Sequence, residues 1–181
     1  MRRRAFLVLL AAIPAYAQAP PHPQPIDQLF AALRVAPNEP ATAAVEARIL
    51  ALWDAQATPA VRLLLARGIR ELNQGAPSDA FDTFDAALDL QPDLVAAWRG
   101  RALARMRLGD TAGAVHDFEQ TLRREPRDFA ALGDLSHLAE ARQDWPAALA
   151  AWQNVLAIAP RTPGGAERLR DLRRRAFGDR T

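Results

Sequence analysis

Pro92, Pro126 and Pro160 stand 34 residues apart, and each closes a segment with the same internal order. Eight residues before each proline is an aromatic (Phe84, Phe118, Trp152), and four before that an alanine (Ala80, Ala114, Ala148). Four residues before each proline is a leucine (Leu88, Leu122, Leu156). Four columns at one period, with no insertion, restrict the chain to a tandem array. Alanine, aromatic and leucine at i, i+4 and i+8 fall on one face of an α-helix, because 3.6 residues per turn return the chain to that face. The alanine admits a neighbouring helix, the aromatic fills the space beside it, and the leucine extends the seam. Proline ends the helix: it has no N–H, and it disfavours helical geometry in the residue before it.

A second helical stretch precedes each of these. Its columns are Leu64, Trp98 and Leu132, followed four residues later by the small residues Gly68, Ala102 and Ser136. The turns between the helices contain Gln74-Gly75-Ala76-Pro77, Leu108-Gly109-Asp110 and Gln143-Asp144-Trp145-Pro146. Glycine there suits a left-handed helix C-cap, and Ser78, Asp110 and Asp144 are the expected N-caps. Each 34-residue unit is a helical hairpin that cannot bury its apolar face alone, so stacked neighbours must bury it for one another.

These columns resemble the tetratricopeptide repeat (TPR) family. Ala80…Phe84…Pro92, Ala114…Phe118…Pro126 and Ala148…Trp152…Pro160 match the second-helix half of its pattern, and Trp98…Arg101-Ala102…Leu108-Gly109-Asp110 matches the first half. The match covers three units, 61–94, 95–128 and 129–162. The family's tyrosine column is occupied here by Glu71, Arg105 and Ala139, a smaller or more polar packing site. The resemblance implies an all-α fold, a right-handed superhelical stack of helix-turn-helix repeats (a TPR solenoid).

Residues 26–60 fill one further slot of the register but lack its columns. Ile26, Leu29, Phe30 and Leu33 mark a short amphipathic helix, broken at Pro37-Asn38-Glu39-Pro40. Ala41 to Gln56 follows, with Val45, Ile49, Leu52 and Trp53 on one side. The expectation is an atypical N-terminal hairpin that caps the stack. Residues 163–181 begin with a Pro163-Gly164-Gly165 break and continue as a C-terminal capping helix and tail, with Leu169, Leu172, Ala176 and Phe177 on its inner face.

Arg2-Arg3-Arg4, the apolar run Ala5 to Ile13, Pro14 and Ala15-Tyr16-Ala17 have the layout of a secretory signal peptide, residues 1–17. A proline-rich linker, 18–25, follows. The run is too short to span a bilayer, which needs about 20 residues. The expected location is therefore periplasmic or secreted, without membrane insertion after cleavage. With no cysteine, neither a lipoprotein anchor nor a disulfide can form. The 23 basic residues, all arginine, oppose 21 acids, for a formal charge of +2. The leader carries three of those arginines and no acid, so the remainder is close to neutral and its basicity argues for no nucleic-acid partner.

Nothing in the chain is arranged for catalysis. His22, His116 and His137 lack a second ligand at metal-binding spacing, no thiol exists, and no glycine-rich phosphate loop or nucleophile elbow is present. No enzyme activity, no cofactor and no metal site are expected. Asp82, Asp85 and Asp89 share a helix face and read as solvated surface.

What remains is a surface. In the TPR family the concave face is lined by the first helix of each unit. Carried onto this chain, that gives Arg62, Leu65, Ile69, Leu72 and Asn73, then Ala96, Arg99, Leu103, Met106 and Arg107, then Ala130, Gly133, His137, Glu140 and Ala141. The candidate partner-binding residues are Arg62, Ile69, Asn73, Arg99, Leu103, Met106, Arg107, His137 and Glu140. Arg99 and Arg107 suit a carboxylate or backbone carbonyls, and Leu103 and Met106 offer an adaptable apolar floor. The Lys/Asn pattern that chaperone-tail receptors of the family use is absent. The expected function is a non-catalytic scaffold or adaptor of the cell envelope that binds a protein or peptide segment in this groove, with a monomer favoured. The alternative is a structural module that self-associates or docks through its end faces.

Overall fold

A computed structural model describes residues 25–178 of the chain. They form nine helices and no strand: α1 (Pro25–Arg34), α2 (Glu39–Asp54), α3 (Pro59–Asn73), α4 (Pro77–Leu90), α5 (Val95–Leu108), α6 (Thr111–Arg124), α7 (Phe129–Ala141), α8 (Trp145–Ile158) and α9 (Gly165–Phe177). The leader, most of the proline-rich linker and the last three residues lie outside the described residues. Helices α3–α4, α5–α6 and α7–α8 are antiparallel hairpins stacked in order, with α9 on α8. The fold is an all-α helical repeat stack.

Local sequence sets the helix ends. Asp110, Asp128 and Asp144 each accept a hydrogen bond from the backbone N–H three residues on, at 2.9, 2.9 and 3.1 Å. Asn38 and Thr58 cap α2 and α3 in the same way. Ser78 does not: Pro77 takes the first position of α4, so the helix starts before the serine and has no side-chain cap. Gly75 and Gly109 end α3 and α5 at φ +74° and +81°, and the equivalent residue of the third unit is Gln143 at φ +58°. A side chain in the left-handed region costs about 1–2 kcal/mol.

The seams between units are made by the aromatic column. Phe84 of α4 is 1% exposed, wedged between the first helices of its own unit and the next. A Cβ at Gly68 on α3 would stand 2.7 Å from its ring, and one at Gly100 on α5 closer still. Phe118 is fully buried, in a cluster with Ala102, Ala114, Ala131 and Leu138. Trp152 is buried at the last seam, where its indole N–H donates to the carbonyl of Gly165 at 3.0 Å.

The substituted tyrosine column faces a second column, Thr83, Asp117 and Ala151, on the partner helix of each hairpin. Glu71 accepts from the Thr83 hydroxyl at 2.7 Å, and Arg105 meets the fully buried Asp117 at 3.0 Å. Asp117 also takes a two-pronged bond from Arg101 at 2.8 and 2.9 Å, the geometry that makes a buried Arg–carboxylate pair strong. In the third unit both positions are alanine. Ala139 and Ala151 there line an apolar groove of ≈ 280 Å³ beside Val115, Leu135 and Leu138.

The N-terminal pair folds back over the stack. Helix α2 is seated on α5 rather than on its chain neighbour α3, and α1 reaches α8. Phe30, Leu33, Ile49 and Trp53 join Phe129, Leu132, Trp152 and Val155 in one core cluster. The cause is aromatic: Trp53 lies between Phe30 and Phe129, with ring centroids 6.2 and 5.9 Å away. Arg127 stacks 4.1 Å over Phe30 and pairs with Asp27 at 2.8 Å. Thr162 donates to Glu46 at 3.0 Å, the N–H of Gly164 donates to Glu39 at 3.3 Å, and Arg161 donates to the carbonyl of Pro37. At the other end Leu172 of α9 is fully buried, while Phe177, assigned to the inner face from the pattern, is 67% exposed.

Gly100→Ala provides a stringent test of the first seam. Alanine is about 1 kcal/mol better than glycine in a helix interior, yet here its methyl meets a buried ring. We expect a net loss of about 1–3 kcal/mol in urea unfolding; a stabilised protein would contradict the seam. At the second seam, Phe118→Ala should cost about 3–5 kcal/mol, and a cost below about 1 would mean that the ring is not enclosed.

Candidate functional site

The first helices α3, α5 and α7 carry all nine candidate residues, but the structure does not leave them as one open groove. Ile69, Arg99 and Leu103 come together in a cleft with Leu65, Leu72 and Ala96, and Asp54 from the end of α2 forms part of its wall. Ile69 is 48% exposed and is the accessible apolar residue of this cleft. Leu103 and Met106 are half-buried and pack against the Phe118 cluster at the second seam. Arg62 and Asn73 are exposed. Arg107 donates to the carbonyl of Leu72 at 2.5 Å and so ties the second unit to the first. His137 is 3.5 Å from Glu140, which is paired with Arg168 of α9 at 3.1 Å.

Arg99 is the electrostatic centre of the face, and its partners belong to this chain. Its guanidinium is 3.5 Å from the fully buried Asp128, the N-cap of α7. Asp54 on α2 and Asp134 on α7 feel its charge as well. Burial pushes the Asp54 and Asp128 carboxyls up from the ordinary carboxylate range, against the pull of Arg99. Burial raises Asp134 to about 6, with Arg99 again opposing and Asp128 adding to the rise. One oxygen of Asp128 has no hydrogen-bond partner among the described residues. Asp128, fully buried with one oxygen unpaired, is thus incompletely compensated by Arg99, which is a costly arrangement for a buried charge.

Sequence reasoning placed Arg99 on the concave face and missed Asp54, Asp128 and Asp134 around it. The N-cap position of Asp128, directly before the first helical residue of α7, was a readable signal. The approach of Asp54 was not, because it depends on where α2 docks. No group of three or more His, Cys, Asp or Glu among the described residues is arranged to hold a metal ion, and no helix among them is long and apolar enough to cross a membrane.

The tetratricopeptide repeat family model matches residues 65–117 and 99–166, together more than half of the chain. The chain belongs to the tetratricopeptide repeat family. A TPR repeat-containing protein of Rhizobium etli is 26% identical over 158 residues, 87% of this chain and 78% of the relative. The first TPR domain of human RPAP3 superposes with a TM-score of 0.59 at 22% identity, over 64% of this chain and 91% of that one. The first TPR of Spaghetti (RPAP3), bound to the HSP90 peptide SRMEEVD, gives 0.58 at 22% identity, over 63% and 90%. At these identities the structural likeness is one of fold. The matched units of this TPR chain are α3 to α8, and the N-terminal pair lies outside the family match.

The Asp134 carboxyl gives a pH test. Its folded-state value lies above the ordinary one, so the folded state holds the proton more tightly than the unfolded chain. The group therefore weakens the fold fully above pH about 6, and the penalty disappears as the pH falls below about 4. Asp134→Asn should raise stability at pH 7 by about 1–3 kcal/mol, with the two proteins converging at pH 4. A variant less stable at pH 7 would show that the ionised carboxylate is held favourably by Arg99.

Proposed function

We propose that this TPR protein is a non-catalytic adaptor that binds a segment of another protein at the cleft between α3 and α5. The observation that carries the reading is Ile69, an exposed aliphatic residue at the mouth of a cleft floored by Leu65, Leu72, Ala96 and Leu103. Ile69 stands one helical turn from exposed Asn73, whose side-chain amide can pair with a ligand's backbone. The peptide-bound RPAP3 domain supports a peptide ligand as the class of partner. The leader-like residues 1–17 support an envelope location, with the partner there too.

Arg99 is not the carboxylate clamp of this cleft, since Asp54 and Asp128 already face it. The specificity therefore comes from the apolar floor and from backbone pairing, as suits an extended or helical segment without a terminal carboxylate requirement. The second reading, docking through an end face, draws on Phe177, which is exposed at the end of α9 beside an arginine-rich surface.

A photoreactive amino acid at position 69 in the native host tests the cleft. We expect one predominant envelope protein to be crosslinked, and capture to fall at least tenfold when Leu103→Glu is added or when the probe is moved to position 177. Equal capture from position 177 would favour the end-face reading. Fractionation by osmotic shock tests the location: the protein should leave with the periplasmic or secreted fraction, and retention in the cytoplasm would refute the envelope assignment.

A further inference from the structure

The outer side of α3 is a seam face with no neighbouring unit on it. Ala60, Leu63, Arg67 and Arg70 share one stripe of this helix, at i, i+3, i+7 and i+10. In the second unit the same stripe holds Leu94, Ala97 and Ala104, which are buried in the core of the first unit. In the third unit it holds Ala131 and Leu138, buried against Phe118 of the second. Each stripe is thus covered by the unit before it. In the first unit Ala60, Leu63 and Arg70 are exposed instead, Leu63 by 74%. The pair that precedes it in the chain, α1–α2, is packed on α5 and α8. Folding back over the stack has therefore left uncovered the face that a preceding unit would bury.

Beside the stripe a cleft of ≈ 220 Å³ opens between α3 and α4, lined by Leu64, Arg67, Asp79, Asp82, Thr83 and Ala86. Leu90, also exposed, lies one turn beyond Ala86. The two sides of the cleft are oppositely charged. On α3, Arg67 is held by Glu71, and Arg70 is the cation left over. Helix α4 carries Asp79, Asp82, Asp85 and Asp89 and no basic residue. Asp85 is engaged by Arg101 of the second unit, whereas Asp79 and Asp82 have no ion pair among the described residues.

We propose that this end of the stack is a dimer interface, where two copies of the chain meet face to face about a two-fold axis. A two-fold contact uses one patch on both subunits, so the patch must complement itself. This one does. The rotation sets Arg70 of each copy against Asp79 and Asp82 of the other, and Leu63 of each against the other's Leu64, Ala86 and Leu90. The opposite end of the stack does not fit the same face, because α9 presents Arg170, Arg173 and Arg174, which would meet Arg70 with like charge. The contact goes beyond the adaptor reading and replaces the monomer favoured from the sequence. The cleft at Ile69 lies on the α5 side of α3 and stays open in both copies. A dimer therefore offers two clefts at once, which raises avidity for a partner carrying two segments.

Sedimentation equilibrium on the chain as purified from its host tests this. We expect a dimer that weakens as salt screens the charges. Leu63→Glu should raise the dissociation constant about tenfold or more, as loss of a central apolar anchor does. Its urea unfolding as a monomer should match that of the native chain, because Leu63 is exposed. The decisive arm exchanges charge. Arg70→Glu alone, and Asp79→Arg/Asp82→Arg alone, should each be monomeric, since like charges then face each other across the axis. An equimolar mixture of the two should dimerise at least tenfold more tightly than either alone, since both crossed contacts are again opposite in sign. A native chain that stays monomeric, or variants that recover no dimer on mixing, would overturn the proposal. A dimer that survives Leu63→Glu but is dissolved by Phe177→Ser would place the contact at α9 and overturn it as well. A photoreactive residue at position 63 that captures a different protein and never a second copy would assign the face to that partner instead. Loss of crosslinking from position 69 with the dimer intact would refute the cleft alone.

Discussion

One buried aromatic ring per unit holds this molecule together. A single helical hairpin of 34 residues cannot bury its apolar face alone, and it becomes stable only when a neighbour covers that face. Phe84, Phe118 and Trp152 do that from the second helix of each unit. The first inserts between two first helices that approach closely because Gly68 and Gly100 carry no side chain. The last is closed by α9 through the Gly165 carbonyl and by Arg168 stacked 4.6 Å over the indole. Helix spacing, the direction of the stack and the face offered by α3, α5 and α7 all follow from these wedges.

A second aromatic set then determines what that face can do. Phe30, Trp53 and Phe129 bring the N-terminal hairpin, which lacks the repeat columns, across the start of α5 and α7. The result divides the first-helix face. The part near Ile69 is accessible; the part near Phe129 is covered, and Arg99 at its edge is already engaged by the chain's own carboxylates. Charge at this site works against stability, since burial raises the Asp54, Asp128 and Asp134 carboxyls, Asp134 to about 6.

The repeat stack was legible in the sequence because its physics is periodic. Ala80, Phe84, Leu88 and their equivalents recur at one spacing, and each recurrence has the same cause. The aspartate caps were legible for the same reason, whereas Ser78 failed because Pro77 next to it is a better first residue of a helix than serine is a cap. The pairing of Glu71 with Thr83 and of Arg105 with Asp117 was present in the register too, as two columns whose members change together. The docking of α1–α2 was not legible. Trp53 and Phe129 are far apart in sequence and belong to no shared period, so nothing local distinguishes a capping hairpin from one folded back over the stack. Phe177 fell on the apolar face by pattern but lies at the last turn of α9, beyond the helix it was to cover.

The covering of the first-helix face depends most on the contact of Trp53 with Phe129 at the start of α7, and a double-mutant cycle between Trp53→Ala and Phe129→Ala measures that contact directly. Paired rings at this distance predict a coupling energy of about 0.5–1.5 kcal/mol in denaturant unfolding. Losses that simply add, within about 0.3 kcal/mol, would mean that the rings do not meet and that the first-helix face is uncovered.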